Sequence, residues 1–396
     1  MNAGESEPSA YSVRIEKGVQ NGLTLTHVDG QTVFVHGALP GETVRIRIVK
    51  ERSQHKFGIC EEVIEPASNR VSPDCPVFPQ CGGCSFRHIS YDEELQLKLD
   101  LLHEHKFIAP ALGDLKVHTG PRNHYRNQVW LHASEAGPGF FALHTNDVVP
   151  LPSAGCLNLS KSLNFRIASE KELEFRDYLT EQAAKRKEAD AIPLPGLDFS
   201  WRMAATGFSQ ANRFLIPDWL DSIYLMSQPF LATSGEKVSS VYELFCGSGL
   251  IGGHLILRSG QRVDGKSIQY FGAESSGPSL EKGKSNFRAA GIKARLINAD
   301  LYRGNIAQHL NRQLPAPDQN SLIVANPPRA GLKENLAQWI VQSKSTVLVY
   351  SSCNPQTLNR DLGILERGGF QMKELHWFDF FPGTPHSELV TLLERA

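Results

Sequence analysis

VYELFCGSGLIGGHLILRSG, residues 241–260, reads as a strand that breaks into a glycine-rich turn and continues as a helix. Val241 to Phe245 are apolar or β-prone, and the residues after the turn repeat apolar side chains at helical spacing. Gly247, Gly249 and Gly252 fall as G-x-G-x-x-G, and an acid, Glu274, follows 22 residues after Gly252 at the end of the next strand-like run, QYFGAES. Working outward, the chain keeps alternating: helical SLEKGKSNFRAAGI (279–292), ARLINAD (294–300), SLIVANPPR (321–329), helical LKENLAQWIVQ (332–342), STVLVYSSC (345–353) and a final ELVTLLER (388–395). This predicts an α/β, doubly wound, Rossmann-like domain over residues 207–396, whose ligands sit beyond the carboxyl ends of the strands.

Such a glycine turn serves NAD or S-adenosylmethionine equally well, because both need close backbone approach and an acid for the ribose hydroxyls. Two features favour the methyl donor. The chain after the turn is long enough for one sheet only, without a second mononucleotide half. Asn326-Pro327-Pro328 at the tip of a strand also resembles the rigid Asn/Asp-Pro-Pro loops of methyltransferases that act on planar bases.

The first two hundred residues have a different grammar. YSVRIEKG, LTLTHVDG, QTVFVHG, ETVRIRIVKE and KFGICEEVIE are five short strand-like runs over residues 11–66, with Asp29-Gly30 and Pro40-Gly41 as turns, and they suggest a small barrel of the oligonucleotide-binding kind. Its stretch RIRIVKERSQHK (45–56) holds five basic side chains against one acid, which suits either a solvated strand edge or an RNA-facing one. Residues 67–206 form a mixed α+β block with a helix at YDEELQLKLDLLHEHKF, and residues 1–10 read as a disordered start. Three cysteines cluster there as Cys75, Cys81 and Cys84, spaced C-x5-C-x2-C with Gly82 and Gly83 between, and Cys156 lies 72 residues further on. Four thiolates of that kind suit a zinc ion or an iron–sulfur cluster, and the spacing does not choose between them.

The remaining composition sets bounds. Seven cysteines in a chain whose first residues show no basic and apolar leader pattern argue against a disulfide framework, and no apolar run approaches the roughly 18 residues of a spanning helix. A soluble, cytoplasmic monomer without membrane association is expected. The net charge of −1 neither demands nor excludes a polyanionic partner.

Seven markers in order bring a resemblance into view: CPVFPQCGGC with Cys156, GFSQAN (207–212), ELFCGSG (243–249), Glu274, NPPRAGL (326–332), SSCNPQTLNRDL (351–362) and FPGTPHSE (381–388). The chain resembles the uridine-5-methyltransferases of RNA, the TrmA/RlmC/RlmD family, over nearly its whole length. It is most similar to the RlmD branch, which joins an N-terminal TRAM barrel to a four-cysteine [4Fe-4S] cluster. The resemblance implies class I, S-adenosylmethionine-dependent methylation of carbon 5 of a uridine, with the cluster on Cys75, Cys81, Cys84 and Cys156. It implies Cys353 as the nucleophile that adds to carbon 6 and Glu388 as the base that removes the carbon-5 proton. Gln210, Phe245, Gly247, Gly249, Glu274 and Asn326 would contact the methyl donor. Relatives act on large-subunit (23S) ribosomal RNA and others on transfer RNA, so RNA gripped by the barrel is the expected partner, ribosomal RNA first.

Departures from the family pattern leave other functions open. Phe245 stands where a tyrosine is common, Leu250 where polar residues occur, and Asn326 where the family has aspartate. Asn326 would also suit an amino-group methyltransferase, which needs neither Cys353 nor Glu388, or an RNA-binding homologue with reduced or no transfer activity. Taken singly, Cys353 could be a small buried hydrophobe and Glu388 an acid at a helix start.

Overall fold

The computed structural model describes residues 10–169, 178–180, 191–204, 210–231, 238–260, 262–263 and 266–395. The chain divides into two compact units. The first comprises Met1–Leu101, Pro121–Glu181 and Phe381–His386, the second Leu102–Gly120, Gln182–Phe380 and Ser387–Ala396. Of the ten residues expected to be disordered, the first nine lie outside the described residues, and Ala10 already belongs to a strand.

The first unit opens with six strands: β1 (Ala10–Arg14), β2 (Lys17–Val19), β3 (Leu23–Val28), β4 (Gln31–His36), β5 (Thr43–Glu51) and β6 (His55–Glu65), in the order β1-β5-β6-β4-β3-β2. The run read as one opening strand is two, because the chain changes partner between them. β1 pairs with β5, Ile15 N–H then reaches Glu42 O, Glu16 N–H reaches Leu25 O, and β2 pairs with β3. A strand that switches sheet edges in this way closes the barrel and removes its open edges. Alternation fills the inside: Val33, Val35, Val44 and Ile46 are buried together with Ile15 and Val28. Asp29 and Gly30 take φ of +50° and +75°, the paired left-handed positions of the tight β3–β4 hairpin.

The basic stretch of β5 proves to be largely compensated. Arg45 pairs with Glu62 at 2.6 Å and Arg47 with Glu61 at 2.5 Å across the β5–β6 ladder, while Lys56 lies 3.2 Å from Glu51. These exposed pairs contribute little stability, about 0–1 kcal/mol each. The buried acid Glu42 is different. Its carboxylate accepts Arg70 Nε at 2.5 Å, Arg70 Nη2 at 2.8 Å, Leu39 N–H at 2.8 Å and Ala67 N–H at 3.1 Å, and so ties the barrel to the segment that follows it.

The rest of this unit holds a small core of Leu39, Phe86 and Ile89, against which Leu97 of the helix α1 (Tyr91–Asp100) packs, and a second of Val129, Leu131 and Leu159 with Leu163 and Ile167 of the helix α2 (Lys161–Ser169). α1 starts where Ser90 accepts the Glu93 N–H. Glu94 and Lys98 on α1 are both buried and paired at 2.8 Å; Glu94 also accepts the Gly383 N–H at 2.5 Å, which holds the segment Phe381–His386 within this unit.

The second unit is built on one eight-stranded sheet. Its strands are β7 (Lys116–His118), β8 (Ser240–Leu244), β9 (Gln269–Glu274), β10 (Ala294–Asn298), β11 (Ser321–Ala325), β12 (Val347–Ser352), β13 (Phe370–Phe378) and β14 (Glu388–Arg395), ordered β10-β9-β8-β11-β12-β14-β13-β7. β10, β9, β8, β11 and β12 run parallel, and β8, β11 and β12 are buried along their whole lengths, as strands covered on both faces must be. Helices α3 (Ile216–Leu231), α4 (Leu250–Arg258), α5 (Gly277–Ala289), α6 (Ile306–Gln313), α7 (Lys333–Gln342) and α8 (Pro355–Arg367) accompany them. This is the α/β, Rossmann-like sheet expected from the strand–turn–helix alternation. No described helix is long and apolar enough to cross a membrane.

Strand order reverses at β8, whose neighbours β9 and β11 lie on opposite sides, and that reversal opens a crevice at the carboxyl edge. β14 departs from the parallel pattern. It lies antiparallel between β12 and β13, so Glu388 starts a strand and not a helix.

Glu42→Ala is expected to destabilise the first unit by about 3–5 kcal/mol, since it strands a largely buried arginine and two N–H groups. Urea unfolding monitored by hydrogen exchange of barrel amides measures it, and a loss below about 1 kcal/mol would contradict the anchoring role. Burial pushes the Glu42 carboxyl up, but Arg70 and the two N–H groups outweigh it and hold it below the ordinary value. The stabilisation is therefore present at neutral pH and is lost as pH falls through the folded-state value.

Candidate active site

The carboxyl edge of the sheet carries the glycine turn. Phe245, Gly247 and Gly249 all have positive φ (+60°, +53° and +78°), and Gly249 caps α4. A Cβ on Gly252 would lie 2.2 Å from the Tyr270 ring, so that glycine is required by packing, whereas a Cβ on Gly247 would meet nothing within 4 Å. Gly247 thus faces open space, as a ligand cradle requires. The turn is held from beneath by Glu243, which is buried and accepts Gly252 N–H and Tyr270 Oη–H, each at 2.8 Å; burial pushes its carboxyl up to about 7. Glu274, at the tip of β9, accepts Gly247 N–H at 3.1 Å through one oxygen and Ser275 and Ser276 N–H at 2.8 and 2.7 Å through the other. Gly247, Gly249 and Glu274 are therefore gathered at one place. The Phe245 ring lies 5.2 Å from the ring of Tyr302, whose hydroxyl donates to Gly331 O.

Asn326 follows β11, its N–H reaching Leu244 O at 3.4 Å, so the Pro-Pro loop leaves the sheet beside the glycine turn. The loop is fastened to the start of α8. Asn354 Nδ2 and Thr357 Oγ1 donate to Arg329 O at 3.1 and 3.2 Å, and the buried Asp361 accepts Leu332 N–H at 2.7 Å and Tyr350 Oη–H at 2.8 Å.

Cys353 lies between the end of β12 and the N-cap residue of α8, Asn354, near the positive end of a helix. The antiparallel register supplies its partner. Ser351 opposes Val390 and Ser352 opposes Leu389, where the ladder ends; Cys353 follows Ser352 and Glu388 precedes Leu389, and the Glu388 charge acts on the Cys353 thiol. On its other side Glu388 opposes Phe378 of β13. Residues two apart in a strand share a face, as do residues directly opposite, so Ser351 and Val390 share a face with Glu388. Ser351 Oγ donates to Glu388 Oε1 at 2.5 Å and accepts the Trp219 Nε1–H of α3 at 3.1 Å. Gln210, expected at the methyl donor, lies close enough to Glu388 to lower its carboxyl, and Gly207 to Ser209 of its motif lie outside the described residues.

The electrostatics follow from this packing. Glu388 is 1% exposed, and burial raises its carboxyl to about 7 against the opposing donors Ser351 and Gln210. Burial also pushes the Cys353 thiol up to about 12, the Glu388 charge raises it further, and the Arg329 guanidinium pulls it down. The pair holds an acid near neutrality beside a protonated thiol whose ionisation is sensitive to the acid's charge.

In the first unit the four clustered cysteines are free thiols drawn from two segments. Burial raises Cys81, Cys84 and Cys156, and mutual repulsion among the four adds to it. Donors face the sulfurs: Asn158 Nδ2 lies 3.2 Å from Cys84 Sγ and Gly83 N–H 3.4 Å from Cys81 Sγ. Arg87, buried and bonded to Asp74, Asn123 and Asn158, brings a cation to Cys84. Among the described residues no group of three or more His, Cys, Asp or Glu side chains closes on a single metal ion.

A family model described as tRNA (Uracil-5-)-methyltransferase matches residues 315–396, and one described as TRAM domain matches residues 9–59. An uncharacterized RNA methyltransferase of Leptospira interrogans is 30% identical over 99% of this chain and 98% of its own length. The chain belongs to the RNA uracil-5-methyltransferase family. A second uncharacterized RNA methyltransferase, from Clostridium acetobutylicum, is 24% identical over 98% of this chain and 97% of its own length. In fold, the chain is similar to the Pyrococcus abyssi tRNA (uracil-54, C5)-methyltransferase in complex with S-adenosyl-L-homocysteine, with a TM-score of 0.68 at 18% identity, covering 96% of this chain and 99% of that one. As a member of this family it is an S-adenosylmethionine-dependent RNA methyltransferase with a TRAM barrel at its N-terminus.

Within that family frame, Ser351, Trp219 and Tyr302 are site residues that sequence reasoning passed over. Ser351 could have been found, since it stands two residues before Cys353 in a strand and so shares its face. Trp219 and Tyr302 carry no local signal; helix packing and loop geometry bring them in.

Replacing Glu388 by Gln removes the charge that opposes thiolate formation at Cys353. Alkylation of Cys353 at pH 8, followed by mass spectrometry of its peptide, is expected to run about threefold to tenfold faster in E388Q, or roughly half to one pKa unit. An unchanged or slower rate would show that the two groups do not interact.

Proposed function

We propose that this protein methylates carbon 5 of a uridine in structured RNA through a covalent adduct on Cys353. What supports the proposal is the pairing of β12 with β14, whose last step, Ser352 against Leu389, leaves Cys353 and Glu388 as the next residues, with the buried, near-neutral carboxyl acting on the thiol at the sheet edge that also holds the glycine turn. Carbon 5 of uracil is a poor nucleophile, and thiolate addition at carbon 6 pushes electron density onto it. S-adenosylmethionine, when bound, supplies an electrophilic methyl group. Gly247, Gly249, Glu274, Phe245 and Asn326 are the residues assigned to hold it: the open face of Gly247 and the remaining lone pairs of Glu274 fit an adenosine ribose.

Cys353 gives up its proton to solvent, helped by Arg329 and the N-terminus of α8, and its thiolate bonds carbon 6 as the C5–C6 electron pair moves toward carbon 5 and the ring carbonyl. Once carbon 5 carries the methyl group, Glu388 takes its remaining proton and the carbon 6–sulfur bond breaks, which restores the double bond and the thiolate. A carboxyl raised to about 7 is matched to that task near neutral pH. Gln210 is likewise assigned to the methyl donor, from a position where it also lowers the Glu388 carboxyl. The target uridine must leave its stack to reach the site, which favours a loop or bulge. Large-subunit ribosomal RNA is the first candidate, and the cytoplasm, with the protein as a monomer, is the assigned setting.

The cysteine pocket is assigned a [4Fe-4S] cluster on Cys75, Cys81, Cys84 and Cys156. What supports a cluster is the donor set: four mutually repelling thiols, two polar N–H groups aimed at sulfur, and the buried Arg87 to offset thiolate charge. Anaerobically purified protein is expected to be brown, with broad absorption that bleaches on reduction and is lost in Cys84→Ala; a colourless protein with one bound zinc would overturn the assignment.

The reaction is tested with RNA carrying 5-fluorouridine, because fluorine cannot leave as a proton and the adduct accumulates. Large-subunit ribosomal RNA and transfer RNA form two arms of the assay, with labelled S-adenosylmethionine. A denaturation-resistant protein–RNA adduct is expected with ribosomal RNA, absent in Cys353→Ala. Its appearance with transfer RNA alone would reassign the target. Its persistence in Cys353→Ala would remove the nucleophile, and methylation without any adduct would point to amino-group transfer.

A further inference from the structure

The Glu388 carboxylate sits at the end of a short buried chain of donors that no uracil chemistry requires by itself. Trp219 carries only a donor, the indole N–H, and gives it to Ser351 Oγ at 3.1 Å. A serine hydroxyl has one hydrogen. With its oxygen engaged as an acceptor from Trp219, that hydrogen is directed at Glu388 Oε1, 2.5 Å away. Trp219 and Ser351 are almost fully buried, 2% and 1% exposed, so water does not compete for these bonds.

We propose that Trp219 and Ser351 are positioning residues that act through Glu388, fixing its carboxylate in the charged, proton-accepting orientation beside Cys353. The chain fixes geometry, because the indole is rigid, α3 holds it, and the hydroxyl rotor has one remaining direction. It also fixes chemistry, because a donor aimed at a carboxylate favours its ionised form and opposes burial. The assignment rests on Glu388 as the proton acceptor and adds which residues keep it fit for that role.

Other groups around Glu388 have been placed. Cys353 follows β12, its thiol acted on by the Glu388 charge and by Arg329. On β13 Phe378 opposes Glu388, and His376, in the next row beside Val390, bonds His118 at 3.0 Å and Glu374 at 2.9 Å. From α3, Asp218 acts on His118. Ser351 donates a hydrogen bond to the Glu388 carboxylate, and Gln210 also lowers its pKa.

The test reads the carboxyl directly. Infrared pH titration of the full-length protein, with the E388Q spectrum subtracted, follows the protonated carboxyl band of Glu388. Ser351→Ala is expected to move its midpoint upward by about one pH unit, a tenfold change in proton affinity. Trp219→Phe is expected to move it in the same direction by less, and Ser351→Thr, which keeps the hydroxyl, to restore the wild-type midpoint and serve as the folded control. The acid limb of methyl transfer is expected to shift with the same order of variants. An unmoved midpoint in Ser351→Ala, or the same shift in Ser351→Thr, would overturn the relay. Failure of the base assignment looks different: E388Q would then turn over at the wild-type rate, whatever the titrations show.

Discussion

The site depends on one strand pairing. β14 enters the sheet antiparallel between β12 and β13, and the register Ser352 against Leu389 decides which side chains meet at its edge. Strand periodicity is two, so a slip of one residue would turn Glu388 to the opposite face and leave the thiol facing an apolar side chain. Leu389, Val390, Leu392 and Leu393 are all buried and hold the strand in the sheet's core. Packing energy spread over the whole strand thereby fixes the position of one carboxylate.

Burial has a chemical result as well as a mechanical one. Removing Glu388 and Cys353 from water disfavours the charged form of both, and they then influence each other in a medium that screens poorly. Donors set how far each is pushed. Glu388 has Ser351 and Gln210 and stops near 7; Cys353 has the more distant Arg329 and the end of α8, and stays a thiol until something favours the thiolate. An acid that is easily ionised beside a thiol that is not allows two proton movements in sequence at one edge of a sheet.

Much of this was legible in the sequence, and the part that was not has a common cause. The glycine turn, Glu274, the Pro-Pro loop and the Cys353 and Glu388 motifs are local patterns, and local patterns carry the α/β class and the carboxyl edge of its sheet. Gln210 was found by its motif, but its place beside Glu388 was not, because sequence spacing cannot tell which neighbours a long amide side chain will meet. Glu388 could also be read as a helix start, since ELVTLLER suits either element until its neighbours are known. The basic stretch of β5 looked like surplus charge, because Glu61 and Glu62, which compensate it, stand on the adjacent strand. Glu42, Arg70 and Trp219 act across long separations and leave no periodic trace.

Release of tritium from RNA labelled at carbon 5 of uridine, measured alongside methyl incorporation, addresses the pairing of Cys353 with Glu388 most directly. Methylation at carbon 5 must expel that hydrogen, so one tritium is expected in water for each methyl group gained, with no release in Cys353→Ala. In E388Q, adduct formation with release slowed by about a hundredfold or more is the expected result. Methyl transfer that leaves the tritium in the RNA, or E388Q releasing it at the wild-type rate, would contradict the assignment of these two residues.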